Sequence, residues 1–411
     1  MKDLGRFGLV AALFVTLAAF EHWNGVNAAG GPTQTGAGPY RVLAPIESGN
    51  LLLFPVVPAD GKSSAETPFI ILDEGLKSGE VEVTEAGRAR GLVRPRNGEN
   101  PQVPGSAYRG DEVNTLVLVN HSKRPLLLLA GEIVTGGKQD RIIAKDRIVP
   151  ADADPIDLSV FCIEPGRWTE NSATFGVAGK SALKSFMVQP EVRERAMVEQ
   201  DQQQVWNSVH GAISQMEVAA APPVSGGMSS PSAVPRTLDT TSYAKAMQDS
   251  AVSEKVDEAA APVINAREQV LAKLRDEHAV GVVVAVHGEI VWADLFANTD
   301  LLSRYWTKLV RSYAAESLTE GEDHAAPSVA DAQHFLDAAS GTRETSEGET
   351  GIYRYLELKG AGAETFVLES LLPGTGYDVH ISKMKLRGEE SHVVKPHPIY
   401  QPEIFRPDVV R

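Results

Sequence analysis

Four apolar, strand-length segments lie between residues 113 and 164, joined by connections only a few residues long. Segment 113–119 ends at Asn120-His121-Ser122, and 125–134 ends at Thr135-Gly136-Gly137. Segment 141–149 runs into the proline- and aspartate-rich stretch 150–155, and 156–164 is closed by Pro165-Gly166. A parallel pair needs a crossover of a dozen residues or more, so connections this short predict an antiparallel meander. An earlier strand is expected over 51–57 and a short helix over 66–79, where Gly79 acts as a stop. Helical spacing then covers 190–216, 242–260 and 264–277. A hairpin over 280–286 and 289–296 turns at His287-Gly288. An amphipathic helix follows over 300–317, and strands over 353–358, 365–369 and 377–384 close the order. Strands, then helices, then strands predict an α+β fold in which antiparallel β meanders pack against helices from the second half of the chain.

Residues 41–390 read as one domain. Within it, a low-complexity, disordered insertion is expected at about 218–240 and an acidic loop at 318–349, with a short helix around His334-Phe335-Leu336. Residues 391–411 read as a C-terminal tail. At the other end, Lys2 and Arg6 precede an apolar run over 7–20, and Val26-Asn27-Ala28 offers a small-residue site. This is the layout of a signal peptide over 1–28, followed by a flexible leader over 29–40. The run is shorter than the roughly 20 residues a membrane span needs. Expected, then, is an exported soluble protein, periplasmic or extracellular, with no membrane association after cleavage. The 54 acidic residues against 39 basic ones give a net charge of -15, which argues against nucleic acid as a partner. A single cysteine excludes an internal disulfide framework and multi-cysteine metal sites. No Gly-x-Ser-x-Gly elbow is present. The sequence names no cofactor and no protein partner.

Chain direction brings one end of the meander together. Glu132, the loop Gly136 to Arg141, and Glu164 to Trp168 all fall there. On regular strands Leu126, Leu128, Ala130 and Glu132 share a face, as do Ile156, Leu158, Val160, Cys162 and Glu164. Each apolar stripe thus ends in a carboxylate that must be solvated, paired or protonated. Arg141 and Arg167 are the nearest cations in sequence, and Gly166 suits a positive-φ turn that brings Arg167 and Trp168 back over the strand end. Two readings remain open. The first is a polar pocket, with Glu132 and Glu164 as acid–base groups and Gln139, Asp140, Arg141, Arg167 and Trp168 as ligand-binding groups. The second is an ion-pair lattice that closes the sheet. No histidine joins the cluster, and no metal is expected. Cys162, on an apolar face, reads as an inert buried thiol, and His380 and His287 read as ordinary strand and turn residues.

Gly131-Glu132, Gly136-x-Lys138-Gln139-Asp140-Arg141 and Cys162-x-Glu164-x-Gly166-Arg167-Trp168, in this order and spacing, resemble the domain family named for its association with ADP-ribosylglycohydrolases and rhodanese-like phosphatases. Leu72-Asp73-Glu74-Gly75, Val83-Thr84-Glu85, Gln202 with Val205-Trp206, and the hairpin-plus-helix over 281–313 extend the resemblance to roughly 42–385. Asp140 stands where the family pattern has Asn, and Pro165 where it has Gln. The family name records genomic company, and that company implies nucleotide or ADP-ribose chemistry by association only.

The expected function is binding of a polar or anionic small ligand at the meander end. The alternatives are a hydrolase of a phosphorylated or nucleotide-derived substrate, with Glu132 or Glu164 as general base, and a purely structural domain. The N-terminal layout gives a direct expectation: exported protein should begin at Ala29. N-terminal sequencing that finds Met1 on the exported form would contradict it.

Overall fold

The computed structural model describes residues 39–62, 69–91, 115–167, 169–179, 184–221, 238–264, 267–319, 321, 324–360, 362–373 and 378–386. The expected signal peptide, most of the leader, residues 222–237 of the insertion and the tail 391–411 lie outside them. The chain opens with β1 (Tyr40–Val42), β2 (Ile46–Ser48), β3 (Leu51–Pro58), β4 (Ile70–Ile71), α1 (Leu72–Ser78) and β5 (Val81–Glu85). The meander region holds β6 (Thr115–Asn120), β7 (Leu126–Leu128), β8 (Ile133–Gly136), β9 (Arg141–Ile143), β10 (Arg147–Val149), β11 (Ile156–Cys162) and β12 (Phe175–Val177). Helices α2 (Pro190–Glu194), α3 (Gln202–Ala219), α4 (Tyr243–Gln248), α5 (Ser250–Ile264) and α6 (Arg267–Asp276) follow. Then come β13 (Gly281–Val286), β14 (Glu289–Phe296), α7 (Thr299–Glu316), α8 (Val329–Asp337), β15 (Thr342–Glu349), β16 (Tyr353–Lys359), β17 (Ala363–Ser370) and β18 (Asp378–Lys385).

The fold is α+β. The main sheet runs β1-β3-β13-β14-β18-β17-β16-β15, with β2 also paired to β3, and every pairing in it is antiparallel. Two smaller sheets, β12-β8-β9-β11-β6-β5 and β10-β7-β4, come from the meander region. Burial on both faces explains the unbroken apolar runs of β3 and β13. Leu51, Leu53, Val282 and Val284 enter the large core, which the helices cover. Leu52, Phe54, Val283 and Ala285 enter a second layer roofed by α8. The meander is likewise sandwiched: Leu126, Leu128, Ile143 and Val160 face a core shared by the two small sheets, while Leu127, Ile142, Phe161 and Ile163 face the large core.

The expected strands 125–134 and 141–149 form one hairpin in one register, from Leu126↔Val149 to Val134↔Arg141, but it is pinched in the middle. Gly131 adopts φ 87, and the ladder is interrupted at Leu129 and Ala130. Their amide N–H groups donate instead to the carboxylates of Glu132 (2.8 Å) and Asp146 (2.7 Å). Each long strand therefore becomes two short ones in different sheets.

The expected helix over 190–216 also divides. A π-helical turn, Arg195–Glu199, ends at Gln200 with φ 51, and Asp201 caps α3 by accepting from the Gln204 amide at 2.9 Å. The helix expected over 242–260 breaks at Asp249, whose carboxylate accepts from Ala251 and Val252 and so starts α5 anew. The acidic stretch 318–349 contains α8, where a short helix is expected around His334-Phe335-Leu336, and also β15, where a loop is expected. A Ser328–Asp331 capping box fixes the helix start. β15 is an exposed polar strand held by pairing to β16, which is why it carries no apolar alternation.

Two glycines test these turns. A Cβ on Gly131 would meet Arg193 side-chain carbons at 3.0 Å, whereas one on Gly166 (φ 90) would meet nothing within 4 Å. Gly166→Ala should cost only the positive-φ penalty, about 1–2 kcal/mol. Gly131→Ala should cost clearly more in urea unfolding. Equal losses would contradict the close packing of Gly131 on Arg193.

Candidate functional site

The meander end is built as expected around Glu164, Arg167 and Asp140. Past Cys162 the chain turns at Pro165-Gly166, and the Arg167 amide donates back to the Glu164 carbonyl at 3.4 Å. The Arg167 guanidinium meets the Glu164 carboxylate at 2.5 Å and Asp140 at 3.5 Å, and it also donates to the carbonyls of Gly137 (3.1 Å) and Thr169 (2.8 Å). Helix α4 closes the cluster. Lys245 donates to Glu164 at 2.9 Å, and Ser242, the α4 N-cap, donates to Asp140 at 2.8 Å. Burial alone would raise the Glu164 carboxyl, but hydrogen bonds from Arg167 and Lys245 hold it below its ordinary value. Burial and the neighbouring Glu164 charge push Asp140 up. Trp168 lies outside the described residues.

Glu132 does not join this cluster. The reason is the pinch: Ala130 lies in the large core with Leu127 and Leu129, so the regular alternation that would align Glu132 with Leu126 and Leu128 is broken. Glu132 is fully buried and receives Lys308 of α7 at 2.5 Å. Lys308 also donates to Asp73 at 2.7 Å, and Ser185 donates to the other Asp73 oxygen at 2.5 Å. Burial pushes the Glu132 carboxyl up despite Lys308. Asp73, which burial would also raise, is held low by Lys308 and Ser185. Arg141 pairs with neither of the two expected carboxylates. Its guanidinium donates to the Gln139 carbonyl at 2.8 Å and lies 4.0 Å from the buried Glu85. The family-motif segments therefore converge on three separate ion-pair knots: Glu164–Arg167–Lys245, Glu132–Lys308–Asp73 and Glu85–Arg141.

A fourth cluster is not foreshadowed by any motif in the sequence. His380 sits between Asp146 (2.6 Å) and Asp294 (3.2 Å). Arg193 donates to Asp294 at 2.9 Å and to Ser382 at 3.1 Å, and Tyr313 donates to Asp294. All are buried. A signal existed in β14: Asp294 falls between Trp292 and Phe296 on the face that enters the large core, where a carboxylate must be paired. Burial alone would lower the His380 imidazole, but Asp146 and Asp294 raise it to about 9.

These environments limit the chemistry. Glu164 accepts from Arg167, Lys245 and the Asp140 amide, which leaves it a weak base. Glu132 is sealed by its own partners. Burial raises the Cys162 thiol to about 11, so it is a poor nucleophile at neutral pH. Among the described residues, no group of three His, Cys, Asp or Glu is arranged to hold a metal ion, and no helix is long and apolar enough to cross a membrane. Unfilled polar atoms gather around the loop between β8 and β9. Gln139 Oε1, Glu85 Oε2 and Arg167 Nε are buried with no hydrogen-bond partner among the described residues.

The His380 cluster predicts a pH dependence. The folded imidazole titrates near 9 against an ordinary 6.5, so its contribution is complete below pH 6.5 and fades as pH rises to about 9. A displacement of this size corresponds to on the order of 3 kcal/mol. Lys383, which burial lowers to about 8, acts in the opposite sense above that pH. The comparison is therefore between wild type and His380→Gln in urea unfolding at pH 6 and pH 9. The gap between the two proteins should narrow at the higher pH, and a constant gap would contradict the charged imidazole.

No curated protein and no solved structure matches the chain. The model of the ARG and Rhodanese-Phosphatase-superfamily-associated Protein domain matches residues 39–384, most of the chain and every element from β1 to nearly the end of β18. The chain belongs to that domain family, ARPP-1.

Proposed function

We propose that this chain is an exported binding module rather than a hydrolase, and that its loop between β8 and β9 takes a polar small ligand. One observation carries the reading: the unfilled Gln139 Oε1, Glu85 Oε2 and Arg167 Nε beside a half-exposed Lys138. Buried polar groups are nearly always satisfied by protein, water or ligand, and the gathering of three around one loop, without a protein partner among the described residues, supports a ligand there. Two of the three are acceptors. The ligand therefore brings hydroxyl, amide or amine donors to Gln139 and Glu85 and an oxygen to Arg167. A bare anion fits less well, because Arg167 is already engaged by Glu164 and Asp140, and Arg141 lies beside Glu85. Hydrolysis is the weaker reading because Glu132 and Glu164 are both tied to cations. Export rests on the charged start, the apolar run over 7–20 and the Ala28 site.

A thermal-shift screen with sugars, nucleosides, nucleotides and sugar phosphates tests the site. A ligand at 100 times its Kd should stabilise the fold by about 2.7 kcal/mol. Gln139→Ala should keep the unliganded melting temperature within a few degrees and abolish that shift. A hit that stabilises Gln139→Ala equally would move the site elsewhere, and no hit in any class would remove the reading.

A further inference from the structure

Two lysines are buried among the described residues, Lys308 and Lys383. Lys383 donates to the backbone carbonyls of Leu336 and Ala338. Lys308 instead stands between two carboxylates, with Asp73 Oδ1 at 2.7 Å and Glu132 Oε1 at 2.5 Å from its Nζ. The other clusters lack this composition. Arg141, Arg167 and Arg193 present guanidinium groups, and Lys245, the amine beside Glu164, is 53% exposed. Only the Lys308 knot holds a buried primary amine against two buried carboxylates, among the described residues.

The surrounding contacts divide the carboxylate oxygens by task. Ser185 Oγ donates to Asp73 Oδ2 at 2.5 Å, so Oδ2 is held while Oδ1 faces the amine. The Leu129 amide donates to Glu132 Oε2 at 2.8 Å, which leaves Oε1 on the amine. The Tyr305 ring lies 5.7 Å from Nζ. One further charge faces the knot: exposed Lys77, 4.0 Å from Asp73, so two cations meet two carboxylates. Burial would lower the Lys308 ammonium, but Asp73 and Glu132 keep it protonated, and any reaction starts from the ion pair. Burial also raises the Glu132 carboxyl, which makes its carboxylate a better proton acceptor than an ordinary one.

We propose that Lys308 and Asp73 join through a self-formed amide bond, with Glu132 as the catalytic base. The inference is independent of the loop site between β8 and β9. The step balances without a co-reactant. Nζ passes one proton to Asp73 Oδ1 along their hydrogen bond, giving a neutral amine and a neutral acid, the forms that burial favours. The Nζ lone pair then attacks Asp73 Cγ, and the Nζ–Cγ bond forms. Glu132 Oε1 takes a second proton from Nζ and delivers it to Oδ1. The Cγ–Oδ1 bond breaks, Oδ1 leaves as water, and Oδ2, held by Ser185, becomes the amide oxygen. Ammonium plus carboxylate thus become amide plus water, and Glu132 ends as it began. Asp73, at 12% side-chain exposure, gives the water a way out. Two effects drive the condensation. Reactants held in contact react as if at about 10⁵–10⁸ M. A buried ion pair is also often no better than neutral groups in its place. The bond closes a loop of 235 residues between α1 and α7, and a chain with one cysteine has no internal disulfide to do the same.

The test is intact-mass spectrometry of the purified full chain under denaturing conditions, with the N-terminus read by sequencing so that the expected mass is known. The chain should be lighter than its sequence by one water. Digestion should yield a peptide carrying Asp73 joined to a peptide carrying Lys308. Lys308→Arg keeps the positive charge but offers no primary amine, and it should show the full sequence mass. Glu132→Gln keeps the side-chain shape but accepts no proton, and it should form the bond about 100-fold more slowly. A wild-type mass equal to that of the sequence would overturn the proposal. So would a water lost within a single peptide, as in a cyclised aspartyl residue, or bond formation in Glu132→Gln as fast as in wild type. The wild-type mass and digest need no variant, so they decide the matter even if neither substituted chain folds.

Discussion

His380 couples the two β systems of the molecule. On one side its imidazole meets Asp146, whose other oxygen accepts from the Ala130 amide at the pinch of the meander hairpin. On the other side it meets Asp294 of the main sheet, which is also held by Arg193 of α2 and Tyr313 of α7. One buried network therefore ties the main sheet, the meander and two helices. A cluster of this kind contributes little net stability, because each charge has already lost its hydration. Its value lies in the penalty for losing any one member: the uncompensated partner costs about 3–5 kcal/mol, so alternative packings of these layers are strongly disfavoured.

The same device recurs wherever a helix meets the meander. Lys308 of α7 is drawn into the core by Glu132 and Asp73. Lys245 and Ser242 at the start of α4 fix Glu164 and Asp140. The Gln202 carboxamide of α3 pairs with both the amide and the carbonyl of Cys162 at 2.9 Å, continuing the β11 ladder sideways. Tyr305 donates to the Leu127 carbonyl at 3.1 Å. Hydrophobic burial brings these layers together without direction. The side-chain contacts to strand ends set the register, which explains why the motif residues are polar although they line the edges of two apolar cores.

Features set by local chemistry are legible in the residues themselves. The hairpin at His287-Gly288 and the Pro165-Gly166 turn both form where their turn residues place them, and Asn298 caps α7 two residues before its expected start at 300. The grouping of Glu164, Arg167 and Asp140 followed from chain direction alone. What failed depended on breaks in periodicity. Strict alternation aligns Glu132 with Leu126 and Leu128, and one positive-φ glycine beside it redirects its side chain. Lys308 sits three residues after Tyr305, on the edge of an apolar stripe, and only the convergence of two carboxylates from distant segments explains its burial. The division of the 190–216 helix depends on Gln200 adopting φ 51, which spacing does not encode.

Polar satisfaction is uneven across the molecule, and even the Asp294 cluster leaves Arg193 Nε without a partner among the described residues. Glu132, Glu164 and Asp294 each accept from several donors, so their lone pairs are engaged by groups of the fold itself. Gln139, Glu85 and Arg311 are equally buried yet keep atoms with no partner among the described residues. Evolution has no stabilising reason to bury a donor or acceptor without a partner, since an apolar residue of similar size would cost less. Such residues are retained where a local rule is broken for another purpose. The ion-pair knots, which carry most of the family motif, therefore argue for architecture. The function is more economically sought at the few polar groups that the architecture leaves incomplete.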